Sequence, residues 1–126
     1  DDVLAHATKL SQIAKEIMTP WQSKYEIVRQ VRMSGLLLGV SFQCPESKKD
    51  DENWWYSRAV RSEMLKNGVW AICNREENIR MYPALNMAEK TFREGFEIME
   101  KSIALIEREG QSVGNSPAWP TGDAGF

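Results

Sequence analysis

Asn78-Ile79-Arg80-Met81-Tyr82-Pro83-Ala84-Leu85-Asn86 is the stretch whose reading decides how this 126-residue chain folds. Ile79, Met81 and Tyr82 favour a β-strand. Pro83 has no N–H to give to a ladder, so it belongs at the strand's end or edge. Asn86 followed by Glu89 reads as a capping box that opens a helix, with Asn in the place of Ser or Thr. One charge, Arg80, stands inside the strand between apolar neighbours.

Downstream, Phe92, Phe96, Met99, Ile103 and Ile106 recur at spacings of four and three, which predicts an amphipathic helix ended by Gly110. Upstream, Val69-Trp70-Ala71-Ile72-Cys73 reads as a strand that a turn through 74–77 joins to the Arg80 strand. Asn53 to Lys66 is helical, and Asn67-Gly68 is its stop signal because glycine tolerates left-handed angles. Trp55 and Ala59 mark one side of that helix, broadened by Val60, Met64 and Leu65.

Further back, Val28 to Met33 alternates apolar and polar residues with one slip, and Leu36 to Phe42 is a more buried run. A turn at Ser34-Gly35 pairs the two as a hairpin. Gly39 inside the second strand implies a bulge or a close approach to its backbone. At the start, Val3, Ala7, Leu10, Ala14 and Ile17 form one helical stripe, widened by Leu4, Ile13 and Met18, that Pro20 brings to a stop near Met18 or Thr19. Trp21 to Glu26 connects, with room for one further helical turn. The sum is an α+β fold, a small two-layer sandwich with a mostly antiparallel sheet of about four strands and helices packed on it. Gln111 to Phe126 is rich in Gly, Ser and Pro and reads as a tail.

Composition narrows the function. The chain is 42% hydrophobic and 27% charged with net charge −2, which argues against a dedicated nucleic-acid binder. No apolar run approaches the ~20 residues a membrane span needs, and an acidic start at Asp1-Asp2 is unlike a signal peptide. The absence of a starting Met suggests that the chain is part of something longer. Cys44 and Cys73 lack metal or CxxC spacing and fit free thiols in a reducing, cytoplasmic compartment. His6, near Asp1 and Asp2, reads as a solvated helical histidine rather than a metal ligand.

No phosphate loop, nucleophile elbow or zinc motif is present. The acids at Glu76-Glu77 and Asp50-Asp51-Glu52 fall in polar loops where nothing raises a carboxyl pKa. Lys66, Lys90 and Lys101 hold polar helical positions. Arg80 is then either half of a structural ion pair or an anion fork. A guanidinium on a rigid strand presents parallel donors that match a carboxylate.

Four features appear in a recognisable order. Val28-Arg29-Gln30-Val31-Arg32-Met33-Ser34-Gly35-Leu36-Leu37-Leu38-Gly39-Val40 resembles the V-R-G-x-G-L-x-x-G-V hairpin of class III pyridoxal-phosphate aminotransferases. Lys66-Asn67-Gly68-Val69 is similar to their x-x-G-V entry into the next strand, and Ile79 to Asn86 to their I-R-x-x-P-P-L segment. The helix from Glu89 to Ile106 takes the place of their terminal helix. Met33 departs from the usual Gly, which affects the expected turn, and Ala84 replaces the second proline.

The resemblance implies that residues 1–109 are a C-terminal small domain, with 110–126 as a tail. Such a domain closes over pyridoxal phosphate held by a large domain. Arg80 takes the position that binds a substrate carboxylate while an amino group moves from an amino acid or amine to a 2-oxo acid. The partners implied are that large domain, the small-molecule substrate and a second copy of the enzyme, with neither nucleic acid nor membrane. The chain alone offers no Schiff-base lysine and is expected to be inactive. Two alternatives remain at this stage. One is the same domain in a pyridoxal-phosphate racemase, decarboxylase or aminomutase. The other is a free-standing regulatory or ligand-binding α+β module.

Overall fold

A computed structural model describes residues 2–46, 53–69, 72–73, 78–81, 83–84 and 86–109, with 53–54 and 72–73 described by their backbone alone. The order of elements is α1 (Asp2–Met18), α2 (Trp21–Lys24), β1 (Val28–Ser34), β2 (Leu37–Phe42), α3 (Asn53–Lys66), β3 (Ile72–Cys73), β4 (Asn78–Met81) and α4 (Glu89–Glu109). The tail at 110–126, Trp54's side chain and Tyr82 lie outside the described residues.

The four strands form one sheet in the order β1-β2-β4-β3, and every pair is antiparallel. β4 therefore lies between β2 and β3, hydrogen-bonded on both sides. Pro83 falls beyond its last residue, as its missing N–H requires.

The hairpin forms as its sequence indicates. Ser34 pairs with Leu37, so Gly35 and Leu36 make a two-residue turn, and Gly35 has φ of +60°. A positive first central angle belongs to the primed turns that suit the twist of the strands. Met33 leaves this turn untouched, since it lies within β1 opposite Leu38. The expected irregularity is misplaced, however. Gly39 pairs regularly with Arg32 and Arg80, and a Cβ there would meet only Ile79 O at 3.8 Å. The register slip lies in β1, between Val28 and Gln30.

Leu38, Val40, Phe42 and Ile79 point from one face of the sheet into the core. Leu10, Met18, Trp21, Tyr56, Met64, Met99 and Ile103 meet them there from the helices. All five apolar positions of the α4 stripe are buried. The α1 stripe buries Leu10, Ile13, Ala14 and Met18 as expected, but its first turn does not reach the core: Val3 and Leu4 are 47% and 64% exposed. α3 differs too. Trp55, Ala59, Val60 and Met64 are buried as expected, but Ser57 and Arg61 are buried beside them and Leu65 is exposed.

α3 ends in a Schellman motif: Val69 N–H donates to Met64 O at 2.8 Å and Gly68 N–H to Leu65 O at 3.1 Å, with Gly68 at φ of +90°. The start of α4 corrects the capping-box reading. The helix begins at Glu89, after a turn in which Met87 N–H donates to Ala84 O at 3.2 Å. Asn86 is exposed in that turn, too early to cap, and Glu89 pairs instead with Lys9 and Arg93.

Candidate functional site

Antiparallel register places Arg32, Gly39 and Arg80 in one row across three strands. Directly opposed residues share a face. Leu38 and Ile79, the neighbours of Gly39 and Arg80, are in the core, so the row lies on the other face. Gln30, Arg32, Ser34, Leu37 and Arg80 on that face are exposed. Ser41 and Asn78 on the same face are joined by a hydrogen bond of 2.5 Å.

The charge on this face is positive. Adjacent strands lie about 4.8 Å apart, so the Cα atoms of Arg32 and Arg80 are about 10 Å from one another. Gly39 between them adds no side chain. Arg32 Nε donates to Gln30 Oε1 at 3.1 Å, an uncharged partner. Among the described residues the Arg80 side chain has no acid partner and no hydrogen bond, which leaves the structural ion pair without support there. Two guanidiniums on one open face, with none of the face positions Gln30, Ser34, Leu37, Ser41 or Asn78 acidic, offer anion binding.

Arg80 also contributes to a groove of about 450 Å³ between the connector after β4 and the first half of α4. Its walls include Val69, Met81, Pro83, Met87 and Phe96. Arg80 thus stands where an apolar groove meets the open sheet face, held by a strand paired on both sides.

Other residues singled out in the sequence go elsewhere. Lys66, Lys90 and Lys101 are exposed on helices. Trp55 is 6% exposed and packs edge-on against Tyr56, with ring centroids 5.1 Å apart. His6 is not simply solvated: its Nε2 lies 2.6 Å from Met87 O. No local signal announces that contact, because its partners are 81 residues apart.

The class III aminotransferase model matches residues 1–103. The chain belongs to the class III aminotransferase family. A mitochondrial acetylornithine aminotransferase of Yarrowia lipolytica is 31% identical over 103 residues, covering 81% of this chain and 22% of that protein. A leucine/methionine racemase of Thermococcus litoralis is 27% identical over 109 residues, covering 84% of this chain and 24% of that protein. Among solved structures, an amine transaminase from an uncultivated Pseudomonas species in its PLP-bound form superposes with a TM-score of 0.69. It is 18% identical and shares 82% of this chain and 24% of its own. The chain thus spans about a quarter of the length of such relatives.

Class III aminotransferases depend on pyridoxal phosphate. The Arg80 face carries arginines, a serine pair and amides, with no lysine among its described positions. Among the described residues, no helix is long and apolar enough to cross a membrane.

Proposed function

We propose that residues 1–109 are the C-terminal small domain of a pyridoxal-phosphate-dependent aminotransferase, and that Arg80 binds the carboxylate of its substrate. The observation that carries this is the position of Arg80. It is exposed on an internal strand, its side chain without an acid partner among the described residues, on a face where Gln30, Arg32, Ser34 and Leu37 are exposed as well. A large domain holding the cofactor covers that face in the whole enzyme, which assembles from more than one copy. When bound there, the cofactor supplies the electron sink for moving an amino group between an amino acid or amine and a 2-oxo acid. The task of this chain is to orient the carboxylate end and, on closing, to exclude water from it.

The similarity to a leucine/methionine racemase favours a second reading, in which the same domain serves a pyridoxal-phosphate racemase. Arg80 keeps its task there, because racemisation and transamination share the need to hold a carboxylate. The match over residues 1–103 supports either enzyme over a free-standing regulatory module.

The test is Arg80→Gln in the full-length enzyme. A charge-assisted hydrogen bond is worth about 1.5–3 kcal/mol, so KM for a carboxylate substrate should rise about 10- to 100-fold with kcat less affected. Unchanged kinetics for carboxylate substrates would remove Arg80 from the site. Product analysis with a single enantiomer of an amino acid separates transfer from racemisation.

A further inference from the structure

Pro83, Ala84 and Met87, on the connector between β4 and α4, line the groove, and the described residues of that connector belong to neither helix nor strand. Its Met87 carbonyl lies just outside the α4 ladder, which begins with Phe92 N–H donating to Ala88 O at 3.0 Å. His6, on the first helix, supplies the donor that this carbonyl lacks, at 2.6 Å. Two residues further along the chain, at the first residue of α4, Lys9 Nζ reaches Glu89 Oε1 at 3.0 Å. His6 and Lys9 are three apart and so project from the same side of α1. Leu10, next to Lys9, is fully buried and fixes the helix to the core, while the Met87 side chain packs against that core from the connector.

The exposed Lys9–Glu89 pair contributes little energy by itself. A part-buried bond to a backbone carbonyl is a firmer tie, and it fixes main-chain position rather than a mobile side chain. The connector therefore has one side determined by β4 and the other by α1. Its backbone position sets where the strand carrying Arg80 ends and how far the groove opens.

We propose that His6 is a positioning residue for Arg80, acting through the Met87 carbonyl to hold the connector that follows the Arg80 strand. The proposal rests on the reading of Arg80 as the carboxylate-binding residue. The imidazole Nε2–H donates to the carbonyl in this role, so a side-chain amide of suitable reach can replace it.

The experiment uses the full-length holoenzyme with His6→Ala, His6→Gln and, in parallel, Arg80→Gln. His6→Ala should raise KM for a carboxylate substrate about tenfold while kcat stays within about twofold, and His6→Gln should recover most of the loss. A merely structural role would lower the active fraction, and hence apparent kcat, leaving KM where it was. Unchanged KM in His6→Ala, or a His6→Gln variant as impaired as His6→Ala, would overturn the proposal. Should His6→Ala fail to fold, His6→Leu keeps the bulk without the donor and is read in its place. If that also fails, His6 is a folding residue and the proposal falls. Arg80→Gln separates the two levels. If it leaves KM unchanged, the carboxylate role itself is wrong, whereas a raised KM there with unchanged KM in His6→Ala removes only the latch.

Discussion

Gly39 stands directly opposite Arg80 in the β2–β4 pair, on the open face of the sheet. Nothing in the backbone demands glycine at that point. Gly39 has no left-handed φ, and an added Cβ would meet only Ile79 O at 3.8 Å, an ordinary contact. What glycine provides is empty space beside the guanidinium. Gly39→Val should therefore fold normally, since a β-branched residue suits a strand and its cost should stay within about 1 kcal/mol. The same change should raise KM for a carboxylate substrate about tenfold in the full-length enzyme, because the new methyl groups occupy the approach to Arg80. Thermal unfolding and steady-state kinetics on one preparation check both halves.

Gly68 and Gly95 make the opposite comparison. Gly68 closes the Schellman motif of α3 at φ of +90°, where an L side chain is strained. Gly68→Ala should cost about 1 kcal/mol or more and lower Tm by several degrees. Gly95 lies within α4 with nothing within 4 Å of an added Cβ. There Gly95→Ala should stabilise by about 0.5–1 kcal/mol through helix propensity. Denaturant titration of the two variants should give shifts of opposite sign.

These glycines also show which parts of the fold were legible in the sequence. Asn67-Gly68 and Ser34-Gly35 encode their turns within a few residues, and the α4 stripe repeats over four turns. Local sequence therefore suffices for all three. The burial of Arg61, the exposure of Val3 and Leu4, and the bulge between Val28 and Gln30 depend on what lies opposite in the fold. The Asn86 cap fails for a related reason, because the chain turns once more before α4 and a histidine 81 residues away holds that turn. Arg80 was found as a charge out of place in a strand. Its neighbours Gly39 and Arg32 on the open face follow only from the register.

Ile103 offers a check on the core itself. It is fully buried on α4 among residues from the sheet and the other helices. Ile103→Ala should cost about 2–5 kcal/mol, the range for truncating a buried aliphatic side chain with partial collapse of the cavity. Arg80→Gln, on the exposed face, should leave stability within about 0.5 kcal/mol. Chemical denaturation that finds the two variants equally stable would contradict the assignment of inner and outer faces.

The last prediction concerns acid. Glu100 on α4 accepts hydrogen bonds from Lys24 Nζ at 2.7 Å and Tyr25 OH at 2.6 Å, tying the segment before β1 to the terminal helix. Burial by itself would raise the Glu100 pKa, but the hydrogen bonds of Lys24 and Tyr25 outweigh it and hold the carboxyl below its usual range. A lowered folded-state pKa means that the unfolded chain takes up this proton first as acid is added. The stabilisation from Glu100 is therefore complete above its unfolded pKa near 4.5 and is lost as pH falls through the lower folded value. Tyr25 has the reverse sense. Burial, followed by its bond to Glu100, raises its pKa above 10.0, so its contribution is present at neutral pH and is lost as pH rises through the folded value. Glu100→Gln should flatten the decline of Tm as pH falls below about 4.5, and should lower Tm at pH 7, where both tethers to a charged acceptor are weakened. A Tm–pH profile for Glu100→Gln parallel to the parent's through that range would show that this carboxylate carries none of the acid sensitivity.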